Sequence, residues 1–275
     1  MSSLLIQACK EGDLETVKYL YEANADANAD IHSETDCAVR CASGSGNLEL
    51  VKYLCEAGAD IRSCNDYAFQ LASYYGHLEL VKYLCKAGAD IRSENDYAVR
   101  LASANGHLEV VIYLCEAGAD IRSKNDYAVR LASQNGHLEV VKYLVSLGAD
   151  IRNENDFAVI YASYNGHLEV VKYLCEAGAD IRSCDDFAVR FASYYGHLEL
   201  VKYLCENGAD FSKISEKHKK YISFCNKMKA KIRERAQKKI YFWWIPICYD
   251  VNRECGKRMM LKNLEKAKEL GMEFI

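Results

Sequence analysis

The sequence predicts an all-α solenoid of stacked helix-turn-helix units, followed by a helical carboxy-terminal cap or extension. Two observations lead to this prediction: a unit that returns every 30 residues, and an apolar spacing within each unit that is typical of helices. The 275 residues include one proline, Pro246, whereas a loop-rich all-β protein normally uses many more. Proline therefore does not prevent this chain from forming long helices.

The repeated unit is clearest in one of its two predicted helices. The segment Gly46–Leu54 returns as Gly76–Leu84. Four further copies begin at Gly106, Gly136, Gly166 and Gly196. A weaker copy, Gly12–Leu20, lies 34 residues before the first, so four residues are inserted around 27–36. The chain thus contains seven units, of which the first is atypical.

The spacing inside a unit predicts helix, turn, loop and second helix. An amphipathic helix of about three turns is indicated by four apolar residues on one stripe, Leu78, Val81, Leu84 and Cys85. Gly88 follows where a C-cap residue with positive φ is expected. A loop over 91–95 leads to Asp96, which we expect to cap a shorter helix, 97–103, by accepting hydrogen bonds from that helix's own first amides. Such helices bury their faces only when neighbouring units stack.

These units resemble a known family. Gly166–Leu174, followed by Gly178–Ile181, is similar to the second half of the ankyrin repeat, and the match recurs over roughly residues 3–212. The segment Asn95–Arg100 is most similar to the ankyrin arrays of giant amoebal viruses (mimivirus-like) and of amoebae. Two features depart from the family: the usual Thr-Pro-Leu-His opening is absent, and the 30-residue unit shortens the loop that normally projects as a finger.

The resemblance implies an ankyrin-repeat solenoid that binds proteins without catalysis. Host proteins would be the natural targets of a viral array, and such arrays can present captured proteins to host ubiquitin ligases. Residues 213–275 show no clear F-box-like pattern that would support the adaptor role. We expect one unidentified protein partner, no small-molecule substrate and a monomer.

Positions that vary between units are the candidates for partner binding, because the scaffold does not dictate them. They are the two residues before each Gly-His pair and the fourth residue of the preceding helix. The resemblance implies that they lie on the concave, target-facing side, and Tyr and Arg are enriched in interface hot spots. The candidate partner-binding residues are Tyr74, Tyr75, Arg100, Arg130, Tyr164, Arg190, Tyr194 and Tyr195. The alternative is that the tyrosines pack between units.

Other repeated residues are expected to be structural. Five histidines share one position, and adjacent units on the order of 10 Å apart prevent one metal ion from bridging them. These are His77, His107, His137, His167 and His197. Asp90 and Arg92, with their equivalents, place opposite charges in every loop and are expected to set its geometry, although a row of arginines could instead bind an acidic partner.

The sequence contains no motif of a known catalytic class. A phosphate-binding glycine loop, a nucleophile elbow, a zinc-protease motif and a kinase signature are all missing. Identical groups repeated along a line do not supply the dissimilar groups that must converge in an active site. We therefore expect no enzyme, no cofactor and no bound metal.

Cysteine usage and hydropathy favour an intracellular protein. Five of the thirteen cysteines share one position that Val145 occupies in another unit, so Cys stands there for a small apolar residue. These five, Cys55, Cys85, Cys115, Cys175 and Cys205, are predicted to be free, buried thiols. The amino terminus lacks a basic signal-peptide region, and the longest uncharged apolar run, 240–249, is about half of the ~20 residues that a membrane-spanning helix needs. Cytoplasm, including host cytoplasm, is the expected location.

The last quarter of the chain differs from the repeats in charge. Residues 1–212 carry 18 Lys and Arg against 32 Asp and Glu, whereas residues 213–275 carry 17 against 7. We predict two regions: the array and a basic helical region containing one long helix, 215–239. The aromatic segment 240–249 is expected to cap the solenoid, and Asp250 to begin a final helix. Alternatively, 213–239 binds nucleic acid, an anionic membrane surface or a secondary acidic partner.

Overall fold

The computed structural model describes residues 2–24 and 31–217, together with positions 219–220, 222–223, 226–227, 230 and 234. The chain divides into two compact parts, residues 1–215 and 216–275. The described positions of the second part are helical, which agrees with a helix there. The aromatic segment 240–249 and the predicted final helix lie outside the described residues, as do residues 25–30, which include the first part of the predicted insertion.

Helices occur in seven pairs in the described part of the chain, and no strand is found there. The first helices of the pairs are α1 (Ser2–Glu11), α3 (Ile31–Ser45), α5 (Ser63–Tyr75), α7 (Ser93–Ala104), α9 (Ser123–Gln134), α11 (Asn153–Asn165) and α13 (Ser183–Tyr194). The second helices are α2 (Leu14–Asn24), α4 (Leu48–Glu56), α6 (Leu78–Lys86), α8 (Leu108–Glu116), α10 (Leu138–Ser146), α12 (Leu168–Glu176) and α14 (Leu198–Glu206). First helices pack against the first helices of neighbouring pairs, which confirms the all-α stacked prediction.

The apolar core repeats with the units. In α6 the fully buried residues are Leu80, Val81 and Leu84. The predicted stripe is therefore correct at Val81 and Leu84, whereas Leu78 and Cys85 are only half-buried. The buried face is displaced because a second helix contacts its own partner and the second helices on either side, so its core contact is not a single stripe.

A left-handed turn precedes each regular first helix from α5 to α13. Glu94, Asn95 and Asp96 have φ values of 52°, 57° and 59°, so the right-handed helix begins at Tyr97. The left-handed conformation costs about 1–2 kcal/mol per non-glycine residue, and Asn and Asp tolerate it best. Asn or Asp accordingly fills the second and third positions in every such turn. The other turns are 64–66, 124–126, 154–156 and 184–186.

The third residue of each turn is a buried aspartate that joins its unit to the next. Asp96 is 2% exposed, and its Oδ1 accepts a hydrogen bond from the backbone N–H of Asp120 at 2.7 Å. The Nε of Arg92 lies 3.5 Å from the same oxygen. Equivalent hydrogen bonds of 2.8–3.0 Å join Asp36 to Asp60, Asp66 to Asp90, Asp126 to Asp150, Asp156 to Asp180 and Asp186 to Asp210. The prediction that Asp96 caps its own helix is wrong, because the left-handed turn gives its carboxylate a partner in the following unit.

The charged loop residues continue this connection along the array. Oδ1 of Asp120 accepts a hydrogen bond from the N–H of Arg122 at 2.9 Å. The Nε of Arg122 lies 3.6 Å from the buried carboxylate of Asp126, which begins the next step. The prediction that the aspartates and arginines set loop geometry is confirmed by these contacts.

The repeated histidines also join units, which confirms their structural role. Nε2 of His137 donates to the carbonyl oxygen of Ala104 at 3.0 Å, and the imidazole ring lies against Gly106 of the same preceding unit. In the second unit Asn47 replaces the histidine, and its Nδ2 donates to the carbonyl of Gly12 at 2.9 Å.

The described helices include none with both the length and the apolarity that a bilayer span requires.

The buried aspartates predict a specific loss of stability. Asp156→Ala should lower the free energy of unfolding by about 1–3 kcal/mol, because it leaves the N–H of Asp180 without its buried acceptor. Asp156→Asn should lower it less, since the amide oxygen can still accept. Urea denaturation measures both changes, with Glu139→Gln on the exposed side of α10 as the control. Equal losses for the two Asp156 variants would contradict the assigned role of this hydrogen bond.

The histidine contact predicts a difference between two matched glycines. Gly136 and Gly196 both have φ +83°, but a Cβ on Gly136 would lie 2.6 Å from Nδ1 of His167, whereas no described atom lies within 4 Å of one on Gly196. Gly136→Ala should therefore destabilise the protein by at least about 1 kcal/mol more than Gly196→Ala. Thermal and urea unfolding measure the difference, and it should disappear in the His167→Ala background. An excess that survives there would exclude the ring as its cause.

Candidate functional site

The eight candidate partner-binding residues all lie on or next to first helices. We call these residues the variable surface. The three arginines lie in the middle of their helices, and the five tyrosines lie at or just after the carboxy-terminal ends. Every one of the tyrosines is at least 36% exposed, and Tyr194 reaches 81%.

One group of tyrosines joins the sixth and seventh pairs. The rings of Tyr164 and Tyr195 have centroids 4.3 Å apart, and the hydroxyl of Tyr195 donates to that of Tyr164 at 3.0 Å. This hydrogen bond is the main cause of a raised pKa for Tyr195. Tyr194 contacts Tyr195 edge-on at 5.0 Å, and Phe191 contacts Tyr164 at 5.6 Å. Tyr164 and Tyr195 thus pack between units, as the alternative to partner binding predicted, and both side chains also remain exposed.

The other tyrosine group is smaller and lies on the third pair. Tyr74 and Tyr75 meet edge-on at 4.8 Å, and Tyr75 stacks near His77 at 6.1 Å. Between the two groups the corresponding positions are Ala104–Asn105 and Gln134–Asn135. The structure therefore places the tyrosines in two separate groups on successive first helices.

Arginines occupy the units between these groups. The guanidinium of Arg100 lies 4.9 Å from the ring centroid of Tyr97 and 6.0 Å from that of Tyr127, and its Nη2 donates to the carbonyl of Glu94 at 2.7 Å. Arg130 lies 4.8 Å from the Tyr127 centroid. These cation–π contacts hold both guanidiniums in place.

Arg190 differs from the other two arginines. It lies over the ring of Phe187 at 4.9 Å, and its Nη1 is 3.3 Å from Oδ2 of Asp185. Sequence reasoning missed the aromatic residues under the arginines. The available signal was the Tyr-Ala-Val-Arg spacing, in which i and i+3 share a helix face, as Tyr97 and Arg100 do.

Two clefts open beside the left-handed turns, and both are lined by residues of the inter-unit network. One of about 340 Å³ is bordered by Cys64, Asn65, Gln70, Glu94, Tyr97 and Arg100. A wider one of about 630 Å³ is lined by Asp60, Arg62, Asn65, Asp66, Asp90, Arg92, Ser93 and Glu94. Within the described residues no three His, Cys, Asp or Glu side chains come together in a way that could hold a metal ion.

A comparison with protein families assigns the repeats. The family model for ankyrin repeats (three copies) matches residues 2–65, 41–125, 97–185 and 129–215. The chain belongs to the ankyrin-repeat family. A search of curated proteins found no match. The ankyrin solenoid expected from the resemblance is therefore confirmed, and the variable surface lies on the first helices of its repeats.

The cysteines of the ankyrin array are free where the structure describes them, as predicted. The predicted burial is only partly correct: Cys55, Cys85, Cys115, Cys175 and Cys205 are half-buried, because the second helices leave one edge of this position open to solvent. Burial nevertheless raises the pKa of Cys115 and that of Cys205 to about 11. Fully buried Cys9 has a pKa of about 12, also chiefly because of burial.

These differences predict which thiol reacts first. Cys64 is exposed, whereas burial raises the pKa of Cys115 and so reduces its reactive thiolate. Iodoacetamide at pH 8 should alkylate Cys64 at least about tenfold faster than Cys115, as measured by peptide mass spectrometry over time. Cys64→Ser should remove the fast peptide and leave the rate at Cys115 unchanged. Equal rates at the two positions would show that exposure and pKa do not control thiol reactivity in this array.

Proposed function

We propose that this ankyrin array binds a protein partner, without catalysis, through its variable surface. Ankyrin repeats are in general protein–protein interaction modules, and the family is typically non-enzymatic. One observation supports the assignment to this surface: the repeated Asp and His residues are occupied by contacts between units and the repeated loop arginines pair with the buried aspartates, whereas the tyrosines that vary between units remain exposed.

The tyrosine groups have the physical properties of interface anchors. A tyrosine adds a large amphipathic contact area and has few rotatable bonds to immobilise. The hydrogen bond between Tyr164 and Tyr195 fixes both rings before any partner arrives, so less conformational entropy is lost on binding. Tyr74 and Tyr75 add a second anchor on another unit, and a partner that contacts both groups must extend along the first helices of the array.

The resemblance to arrays of giant amoebal viruses gives the partner its proposed class. We propose a host cytoplasmic protein as the ligand of a monomeric array. Presentation of that ligand to a host ubiquitin ligase is the further role that the resemblance implies, and it would require a ligase-binding segment elsewhere in the chain.

The charge of the carboxy-terminal region supports a second candidate function. Eleven Lys and Arg residues lie between Lys213 and Lys239, following an array in which acids outnumber bases. A basic segment of this kind binds phosphates of nucleic acid or anionic headgroups of a membrane, with an affinity that falls steeply as salt rises. This salt dependence distinguishes it from binding through exposed aromatic residues.

The proposed function predicts the outcome of affinity capture from amoebal lysate. The full chain should retain its partner in both low-salt and moderate-salt washes. The variant with Tyr74, Tyr75, Tyr164, Tyr194 and Tyr195 all replaced by Ala should bind the captured partner at least about 100-fold more weakly, because it loses several aromatic anchors. The control Tyr19→Ala removes a tyrosine that is 72% exposed on α2, outside the variable surface, and should bind normally.

Circular dichroism and thermal unfolding must show that the five-tyrosine variant is folded. Unaltered capture by that folded variant would contradict binding through the variable surface. Capture that is lost at moderate salt and unaffected by the tyrosines would instead identify the basic region as the binding element.

A further inference from the structure

We propose that the middle of the variable surface recognises an acidic segment of the partner in the polyproline II conformation, with two carboxylates three residues apart. Arg100 and Arg130 would each bind one carboxylate. This inference rests on the proposed function, because it specifies the chemistry of the ligand at the same surface.

The two arginines have unused hydrogen-bonding capacity. Among the described residues neither guanidinium has a carboxylate within ion-pair distance, in contrast to Arg190 with Asp185 at 3.3 Å. The Nε atoms of Arg100 and Arg130 are buried without a hydrogen-bond partner in that same part of the chain, so a carboxylate from outside must bind the Nη atoms at the end of each guanidinium. The bond of Arg130 to the backbone is also long, at 3.4 Å. A guanidinium already held over a tyrosine ring needs little reorganisation to form a two-point contact with a carboxylate.

The nearby acidic side chains do not take this capacity. Oε1 of Glu94 accepts from Nδ2 of Asn65 at 2.6 Å, and Oε1 of Glu154 accepts from Nδ2 of Asn125 at 2.7 Å. Arg100 approaches Glu94 only at its backbone carbonyl. A carboxylate for these arginines must therefore come from a partner or from a rearrangement of the array.

The spacing of the arginines selects the backbone conformation of the ligand. Both guanidinium carbons lie near the Tyr127 ring, at 6.0 and 4.8 Å from its centroid, so they are at most about 11 Å apart. In polyproline II, residues i and i+3 point to the same side and are about 9 Å apart. In a β-strand, residues on one side are about 7 Å apart for i and i+2, or about 13 Å for i and i+4. Packed neighbouring helices are about 8–10 Å apart, so arginines at equivalent positions of two stacked first helices match the spacing in polyproline II more closely than either spacing in a strand.

The surface between the arginines fits the rest of such a segment. Tyr127, whose ring both guanidiniums approach, is 38% exposed, and Tyr97 is 37% exposed. Exposed aromatic rings form the grooves that bind proline-rich segments. A long polyanion fits less well, because residues 1–212 carry 14 more acids than bases and their field repels negative charge over about one Debye length. That repulsion also acts on two carboxylates, but each of them is offset by direct contact with an arginine, whereas the further phosphates of a polyanion are not.

Fluorescence polarisation with the full chain tests this proposal. The labelled peptide Pro-Pro-Glu-Pro-Pro-Glu-Pro-Pro should bind at least about tenfold more tightly than Pro-Pro-Glu-Pro-Glu-Pro-Pro-Pro, and more tightly than its double Glu→Gln form. An alanine-rich helical peptide with two glutamates seven residues apart should bind no better than the Gln form. The double variant Arg100→Gln, Arg130→Gln should lose the preference for the three-residue spacing. The control Lys142→Gln, Lys172→Gln removes the same charge from second helices and should keep it.

The outcomes separate this proposal from the proposed function. Absence of binding by the three-residue peptide, tighter binding of the helical peptide, or displacement by a thymidine oligonucleotide would overturn the carboxylate assignment. So would a preference that survives in the folded Arg100→Gln, Arg130→Gln variant. Any of these results, combined with loss of the captured partner in the five-tyrosine variant, would leave protein binding at the variable surface intact. Failure of the tyrosine test would remove the basis for both.

Discussion

A buried carboxylate, repeated in five successive units, determines much of the geometry of this array. Asp96 and its equivalents accept a hydrogen bond from the loop of the following unit, and they do so from a left-handed turn that is strained for any side chain. This hydrogen bond between units offsets part of that strain, so the turn and the stacking depend on each other. The turn also determines where the right-handed first helix begins, and therefore where Arg100 lies along it.

The same arrangement separates structural residues from residues available for binding. Constant positions such as Asp120 and His137 bond to neighbouring units, and Arg122 lies against the buried carboxylate of Asp126. At the variable positions the contacts between units differ from one unit to the next: Asn135 and Asn165 donate to backbone carbonyls of the preceding units, whereas Tyr195 bonds to the side chain of Tyr164. Their side chains can therefore change from unit to unit while the scaffold stays the same. This division explains how a regular solenoid presents an irregular surface.

The sequence predicted what depends on spacing and missed what depends on backbone handedness. The repeat, the helix pairs, the positive φ at Gly88 and the structural histidines all follow from periodicity and residue type. The left-handed turn could not be read in this way, because an Asn-Asp pair before a helix is equally typical of an ordinary N-cap. Burial at Leu80 in place of Leu78 depends on the neighbouring helices, which a one-helix pattern does not contain. The candidate tyrosines could be selected because they vary between units. The stacking of arginines on Tyr97 and Tyr127 could not be predicted, because it depends on side-chain conformations that the sequence does not show.

The contacts between units join residues that are a fixed number of positions apart in the sequence, and this limits the ways in which such a protein can change its length. The aspartate bond always reaches 24 residues forward, and the histidine bond reaches 33 residues back. Duplicating or deleting a whole 30-residue unit preserves every one of these partnerships, whereas an insertion of another size within a unit breaks them. The four-residue insertion lies in the atypical stretch before Asp36, where the forward bond to Asp60 is unaffected. Unequal recombination between repeats could thus create longer or shorter arrays that fold at once, each with a different series of exposed side chains.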